Sequence, residues 1–282
     1  MHPLLAPGRT RVMGVVNVTP DSFSDGGHYL ARDAAIAHGR RLAAEGADIL
    51  DVGGESTRPG AHTVSVAEEC ERVIGVIETL AGEGHAVSID TVNAVTAHAA
   101  IQAGAIMVND VSGSLRDPQM PRVIAESGVL YVAQHTRGTP ETMSTLATYD
   151  DVVVSVVREL RERMNALAEA GVSGGRIVLD PGLGFAKNNQ HNWEILARLD
   201  EIESLGFPVL VGASRKRFLA GILQPERSTD PRERDAATTA LTALLARRGV
   251  WGVRVHSVTA ARDAIRAVEA WREAAEKAGV EL

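Results

Sequence analysis

Eight short apolar runs, each ending on a polar residue and followed by a loop and a segment of helical period, constrain this chain more than any other feature. They are Val12–Val18, Ile49–Val52, Ala86–Ile89, Ile106–Val108, Val129–Ala133, Ile177–Leu179, Val209–Val211 and Gly252–Val255. Runs this short, bounded by turn residues, read as buried strands. Between them, apolar residues recur three and four apart. Val73, Val76, Ile77 and Leu80 follow the capping-box pattern Ser65-Val66-Ala67-Glu68, and Val153, Val156, Val157, Leu160, Met164 and Leu167 follow Asp150-Asp151. Asp230-Pro231 offers a cap and first-turn proline before Leu241, Leu244 and Leu245. Ala261, Ala264, Ile265 and Val268 mark a last helix. Strands separated by helices pair in parallel. Eight such units predict an α/β protein: a single (β/α)8 TIM barrel over residues 1–282, with its active site at the C-terminal ends of the strands. An open doubly wound sheet would call for a phosphate fingerprint after the first strand, and no G-x-G-x-x-G or P-loop stands there.

Composition narrows the function. The chain has 282 residues, 45% of them hydrophobic but only 4% aromatic, so its core is built from small aliphatic side chains that suit a parallel sheet buried on both faces. A net charge of -7 argues against nucleic-acid binding, although a few cations focused in a cleft still suit an anionic small molecule. The single cysteine, Cys70, excludes an intrachain disulfide and a cysteine-rich zinc site, and reads as a small buried or half-buried hydrophobe. No signal-peptide core or membrane-spanning run is present, so the expectation is a soluble cytoplasmic protein without membrane partners.

A barrel collects its chemistry at the strand ends. In order these carry Asn17; Asp51 with the Gly53–Gly60 loop; Asp90-Thr91; Asn109-Asp110; Gln134-His135; Asp180–Phe185; Ser214-Arg215-Lys216; and Arg254-Val255-His256. Each also has a structural reading. Asn17 suits a turn cap, Asp90 a cap for a helix starting near Asn93, and Asn109-Asp110 and Asp180-Pro181-Gly182 plain turns. Their convergence favours binding: carboxylates accept two N–H groups from an amidine-like edge, and Asn both donates and accepts, which fits a flat nitrogen-rich heterocycle. Arg58, Lys216, Arg254 and His256 form a second, cationic group. Arg254 interrupts an apolar strand and suits either a salt bridge to a barrel carboxylate or a bidentate phosphate clamp. Lys216 falls at the start of an expected Ser214–Leu223 helix, where a cation opposes the helix dipole. His135 reads as a satisfied rim histidine without a catalytic role.

The ordered set of motifs resembles the dihydropteroate synthase family. It comprises Met13–Gly27 (MGVVNVTPDSFSDGG), Asp51–Gly60 (DVGGESTRPG), Ser88–Thr91 (SIDT), Val108–Val111 (VNDV), Asp180–Phe185 (DPGLGF), Ser214–Lys216 (SRK) and Arg254–His256 (RVH). The resemblance covers nearly the whole chain. It implies condensation of 6-hydroxymethyl-7,8-dihydropterin diphosphate with 4-aminobenzoate, giving dihydropteroate and pyrophosphate for folate synthesis. It also implies that Asp90, Asn109, Asp180 and Lys216 hold the pterin, with Asp90, Asp180 and Lys216 the catalytic set. Arg254 and His256 are then expected on the diphosphate with Thr57 nearby, and Asn17 on a magnesium ion. Arg58 and the first two loops would close the site, Pro20 and Phe23 helping to form the aminobenzoate pocket. The family also implies a homodimer and competition by sulfonamides. Two residues depart from its usual pattern: Gln134 stands where many members carry Met, and Ser257 where many carry Asp. A methyltetrahydrofolate methyltransferase would share the heterocycle-binding residues without needing Thr57-Arg58, Arg254 or Asn17. A silent pterin-binding paralogue would not need the substrate loops and clamp together.

Overall fold

In the computed structural model, which describes residues 2–18, 27–55 and 64–280, eight parallel strands form the expected barrel. They are β1 (Arg11–Asn17), β2 (Ile49–Gly53), β3 (Val87–Asp90), β4 (Met107–Asp110), β5 (Leu130–Gln134), β6 (Ile177–Asp180), β7 (Leu210–Val211) and β8 (Gly252–Val255). Neighbours pair in the order β6-β5-β4-β3-β2-β1-β8-β7. A bridge between Leu179 and Val209, with the Leu179 N–H donating to the Pro208 carbonyl at 2.8 Å, draws the two outer strands together. Pro20, Phe23, Thr57 and Arg58 lie outside the described residues.

The strands run further than their apolar runs. β3, β4, β5 and β6 each include the polar residue that follows, because that residue still points into the barrel and keeps its place in the ladder. Alternation separates two sets of side chains. Val12, Leu50, Val52, Val87, Ile89, Val108, Tyr131, Ala133, Leu179, Val211 and Val253 face outward and join the main core beneath the helices. Met13, Ile49, Met107, Leu130, Val132, Val178 and Leu210 form a separate cluster that fills the lower barrel.

The helices follow from their patterns; α1 (Gly27–Ala44), α4 (Met120–Ser127), α6 (Asn189–Ala197) and α7 (Leu199–Glu203) complete the series with those described next. α2 (Val66–Gly82) is capped by Ser65, whose hydroxyl accepts from the Glu68 N–H at 3.2 Å, and buries Val73, Val76, Ile77 and Leu80 as the spacing predicts. α3 (Ala94–Gln102) starts after Asn93, but its first N–H, at Ala94, is taken by Asp117 at 2.8 Å; Asp90 does not cap it. α5 (Val152–Glu169) is capped by Asp151, which accepts from the Val154 N–H at 3.0 Å. Pro231 opens a 3-10 turn, Pro231–Arg234, and the helix proper, α9 (Asp235–Arg248), follows it. The expected Ser214–Leu223 helix is only α8, Arg217–Ala220, with Lys216 at its N-cap in extended backbone. Lys216 therefore stands outside a short turn, and the conflict with a helix dipole disappears. α10 (Val258–Ala278) packs against α9 and closes the ring.

Candidate active site

The inward residues two positions beyond the apolar floor are where the polar chemistry begins. On β2, Ile49 is followed by Asp51; on β4, Met107 by Asn109; on β5, Val132 by Gln134; on β6, Val178 by Asp180. On β7 and β8 the corresponding positions continue to Gly212 and Arg254. Period-two alternation on parallel strands thus stacks an apolar layer under a polar one. Asn109, Gln134, Asp180, Gly212, Ser214, Lys216, Arg254 and His256 line one pocket above the floor, with Val111 and Phe185.

At its centre, Arg254 donates from Nε to Asp51 at 2.6 Å and from an Nη to Asp90 at 2.7 Å. The salt-bridge reading of Arg254 therefore holds for this structure, and Arg254 covers Asp90, which does not itself line the pocket. Asp51 is 0% exposed and also accepts from the Asn109 amide at 2.9 Å, so one carboxylate aims two pocket residues. Its sequence position marked it only as a strand end; its role depends on partners 58 and 203 residues away. Three buried side-chain oxygens on the inward face are left over, Asp51 Oδ1, Ser88 Oγ and Asn109 Oδ1, none with a hydrogen-bond partner among the described residues. A bare buried acceptor is costly, and on the pocket wall Asn109 is set to receive a donor from a ligand.

Asp180 accepts from the Gly182 N–H at 2.7 Å through Oδ1. Gly182 has φ +68°, and a Cβ there would lie 1.8 Å from the His135 carbonyl, so only glycine makes this turn. Gly212 has a different reason. A Cβ there would sit 3.5 Å from Asp180 Oδ2 and 3.8 Å from Lys216 Nζ, in the space between the two pocket charges. Lys216 donates to the Leu183 carbonyl and lies 4.8 Å from the centre of the Phe185 ring.

Burial dominates the electrostatics. It raises the Asp180 carboxyl above its ordinary range against the opposing pull of Lys216, the Gly182 N–H and Arg254. Burial likewise raises Asp90 despite Arg254, with Asp51 adding repulsion. Lys216 is lowered to about 8, again chiefly by burial, with Asp180 pulling the other way. Burial disfavours the Arg254 cation, but Asp51 and Asp90 more than offset it and hold the guanidinium charged.

The other rim residues separate. Asn17 ends β1 on an exposed inward position, beside Gly53 in register. The Ser214 hydroxyl accepts from the His256 N–H at 3.2 Å and lies 2.9 Å from His256 Nδ1, fixing that ring at the pocket edge. Asp110 points the opposite way from Asn109. It accepts from Ser112 N–H and hydroxyl, Ser114 N–H and the Tyr131 hydroxyl at 2.7–2.9 Å, and so organises a loop instead of a ligand. His135 is the satisfied histidine expected: Nε2 lies 3.0 Å from Glu159 and Nδ1 2.8 Å from Lys187, and burial with the Lys187 charge lowers its pKa to about 3. Among the described residues there is no cluster of three or more His, Cys, Asp or Glu able to hold a metal.

These features coincide with a known family. Residues 13–256 match the family described as pterin binding enzyme. The dihydropteroate synthase of Mycobacterium leprae is 48% identical over 273 residues, covering 96% of this chain and 95% of that protein. Among solved structures, the Xanthomonas albilineans dihydropteroate synthase with 4-aminobenzoic acid superposes with a TM-score of 0.87 at 45% identity, over 94% of this chain and 93% of the other. The same enzyme in complex with 7,8-dihydropteroate gives 0.85 at 42% identity, over 95% of each chain. With its barrel, its pocket and its whole length in agreement, the chain belongs to the dihydropteroate synthase family of pterin-binding enzymes.

Proposed function

We propose that this chain is a transferase of folate synthesis that joins 6-hydroxymethyl-7,8-dihydropterin diphosphate to 4-aminobenzoate, releasing pyrophosphate and forming 7,8-dihydropteroate. One observation supports the reading above all: a pocket lined by Asn109, Asp180, Lys216, Arg254 and His256, with the Asn109 acceptor buried and bare. A pterin brings donors on its amide-amidine edge and acceptors on its carbonyl and ring nitrogens. Asp180 and Asn109 supply the acceptors for that edge, and Lys216 a donor. Arg254, held by Asp51 through Nε, would exchange Asp90 for the diphosphate, uncovering Asp90 for the ring. His256 would add a donor at the same rim.

Chemistry then needs no protein nucleophile. The exocyclic C–O bond breaks first, its electron pair leaving with pyrophosphate, and the ring spreads the positive charge. Asp90 and Asp180, two fixed carboxylates, favour that cation. The 4-aminobenzoate nitrogen attacks the exocyclic carbon and afterwards loses a proton. Pro20 and Phe23 belong to the proposal as part of the aminobenzoate pocket, Arg58 with the loops that close the site, and Thr57 beside the diphosphate.

Magnesium is proposed on the same footing. The protein offers no cage of carboxylates among its described residues, but a neutral oxygen from Asn17 at the exposed end of β1 suits a cation that shares its coordination with diphosphate oxygens and water. Bound there, it would neutralise charge on the leaving group. A homodimer in the cytoplasm completes the proposal. Leu244 of α9 and Trp271 of α10 are large apolar side chains exposed on two helices that pack together, and would contribute to pairing. No helix among the described residues is long and apolar enough to cross a membrane.

The test is pyrophosphate release from the dihydropterin diphosphate in magnesium buffer, with and without 4-aminobenzoate. Release that depends on the amine, with dihydropteroate as co-product, is the expected result. Binding of the pterin with no turnover in the presence of both substrates would contradict it.

A further inference from the structure

Between two pocket residues, Ser214 and Lys216, lies one that does not touch the pocket. Arg215 has φ +59°, one of three non-glycine residues among those described with left-handed backbone, the others being Ser114 and Ala186. A long side chain is strained in that region, and such strain persists only where the surroundings over-determine it.

Arg215 is over-determined from one direction. Its N–H donates to Thr238 Oγ1 at 3.3 Å, and its carbonyl accepts from Arg234 Nη1 at 2.9 Å. Its guanidinium forks onto Asp235, Nε to Oδ1 and Nη2 to Oδ2, both at 2.7 Å. All four contacts come from residues 234–238, the start of α9 and the turn before it. Arg234 is itself buried and also holds the Ser228 carbonyl at 2.9 Å. The Arg215–Asp235 side chains are 27% and 32% exposed, so this ion pair adds little to global stability. Its effect is local. A left-handed residue reverses the chain, and here the reversal sends Ser214 toward His256 and Lys216 toward Leu183 and Phe185.

We propose that Arg215 is a positioning residue for the transfer reaction: its fork onto Asp235 holds the strained turn that aims Ser214 and Lys216 into the pterin pocket. The inference rests on the functional reading above. It makes the first turn of α9, which contributes no pocket residue, part of the binding apparatus through one residue held at its N–H, its carbonyl and its guanidinium.

The experiment is calorimetric titration of the full chain with 6-hydroxymethylpterin, for the unaltered protein and for Arg215→Ala, Arg215→Gly and Asp235→Asn, with a thermal midpoint for each. Arg215→Ala keeps the strain and loses the anchor, and should weaken pterin binding by about 10-fold to 100-fold, the scale of a small misplacement of aligned groups. Arg215→Gly frees the left-handed conformation of strain, so it should recover part of that loss although it lacks the fork. Asp235→Asn, which keeps Arg215, should lose affinity in the same direction. If Arg215→Ala does not fold, the glycine and asparagine variants carry the same test. Pterin affinity within about twofold of the unaltered protein in folded Arg215→Gly and Asp235→Asn alike would overturn the positioning role and leave the functional reading standing. An unaltered chain that binds no pterin would overturn the functional reading itself, and this inference with it.

Discussion

At the amino-terminal end of the barrel, Met13, Ile49, Met107, Leu130, Val132, Val178 and Leu210 meet Leu4, Leu5 and Trp251 in an apolar plug. The main ion pair there is closed within the protein, while Arg262, 3.9 Å from Asp48, keeps Nε and Nη1 without a hydrogen-bond partner among the described residues. Asp48 accepts both prongs of Arg9, at 2.6 and 2.7 Å, and the Val12 N–H at 2.8 Å. Two residues further along the same strands, Asp51, Asn109, Asp180 and Arg254 face the same axis, and their polarity is not fully spent within the protein. Asp51 and Asn109 each keep a buried acceptor without a partner among the described residues. The floor and the mouth are thus the same backbone read at successive inward positions. The floor supplies stability; the mouth gives some up to be completed by a ligand.

The largest effect should come from the floor. Met107→Ala removes a fully buried side chain and should cost about 2–5 kcal/mol of stability in a denaturant titration, while turnover per folded molecule stays near that of the parent. A comparable loss of turnover in the folded variant would blur the division between the two layers. At the mouth the pattern should invert. Asp180→Ala should weaken pterin binding by roughly 1.5–3 kcal/mol, the scale for a hydrogen bond to a charged group, with a smaller net change in the fold, since a buried carboxylate is removed but the Gly182 N–H loses its acceptor. Unchanged pterin affinity would take Asp180 out of the site.

Gly212→Ala sharpens the comparison because it adds a single carbon. The new methyl group would meet only ordinary contacts at 3.5–3.8 Å, so the chain should fold, yet it enters the space between Asp180 and Lys216. A loss of about tenfold in pterin affinity, near 1.4 kcal/mol, is expected by titration; full affinity would mean that the ring does not use that space. Lys216 supplies a pH dependence. With its ammonium lowered to about 8, pterin binding should hold below that pH and weaken as pH rises through it, and Lys216→Met should abolish that alkaline limb. The smallest effect belongs to the floor again. Burial pushes the Asp48 carboxyl up, but the Arg9 fork and the Val12 N–H pull it further down, below the ordinary range. Its stabilisation is therefore present above the unfolded carboxylate pKa and is lost as pH falls through the lowered folded value. Asp48→Asn should cost about 1 kcal/mol or less at neutral pH, since the pair is partly exposed, and catalysis should not change.

The layers were legible in the chain to different degrees. The eight strands stood out because each is an apolar run bounded by turn residues, and the polar residue after each run pointed to the mouth. Which of two adjacent polar residues faces inward was harder. Asn109 and Asp110 are equivalent in sequence, and only the strand register sends one to the pocket and the other to Tyr131 and the Ser112–Ser114 loop. The partners of Arg254 were named only as a class, a barrel carboxylate, because the pairing with Asp51 and Asp90 joins strands far apart in the chain. The short α8 and the left-handed Arg215 were read wrongly or not at all: Gly221, which follows Ala220 at the end of α8, was passed over as a stop signal, and the contacts that hold Arg215 come from residues 234–238, about twenty positions on.

The most direct test of a mouth completed by a heterocycle is the crystal structure of this chain with 6-hydroxymethylpterin bound. The ring should lie between Asp180, Asn109 and Lys216, with a ring N–H on the Asn109 oxygen, which lacks a donor among the described residues. A ring bound elsewhere, or one that leaves that oxygen bare, would contradict it.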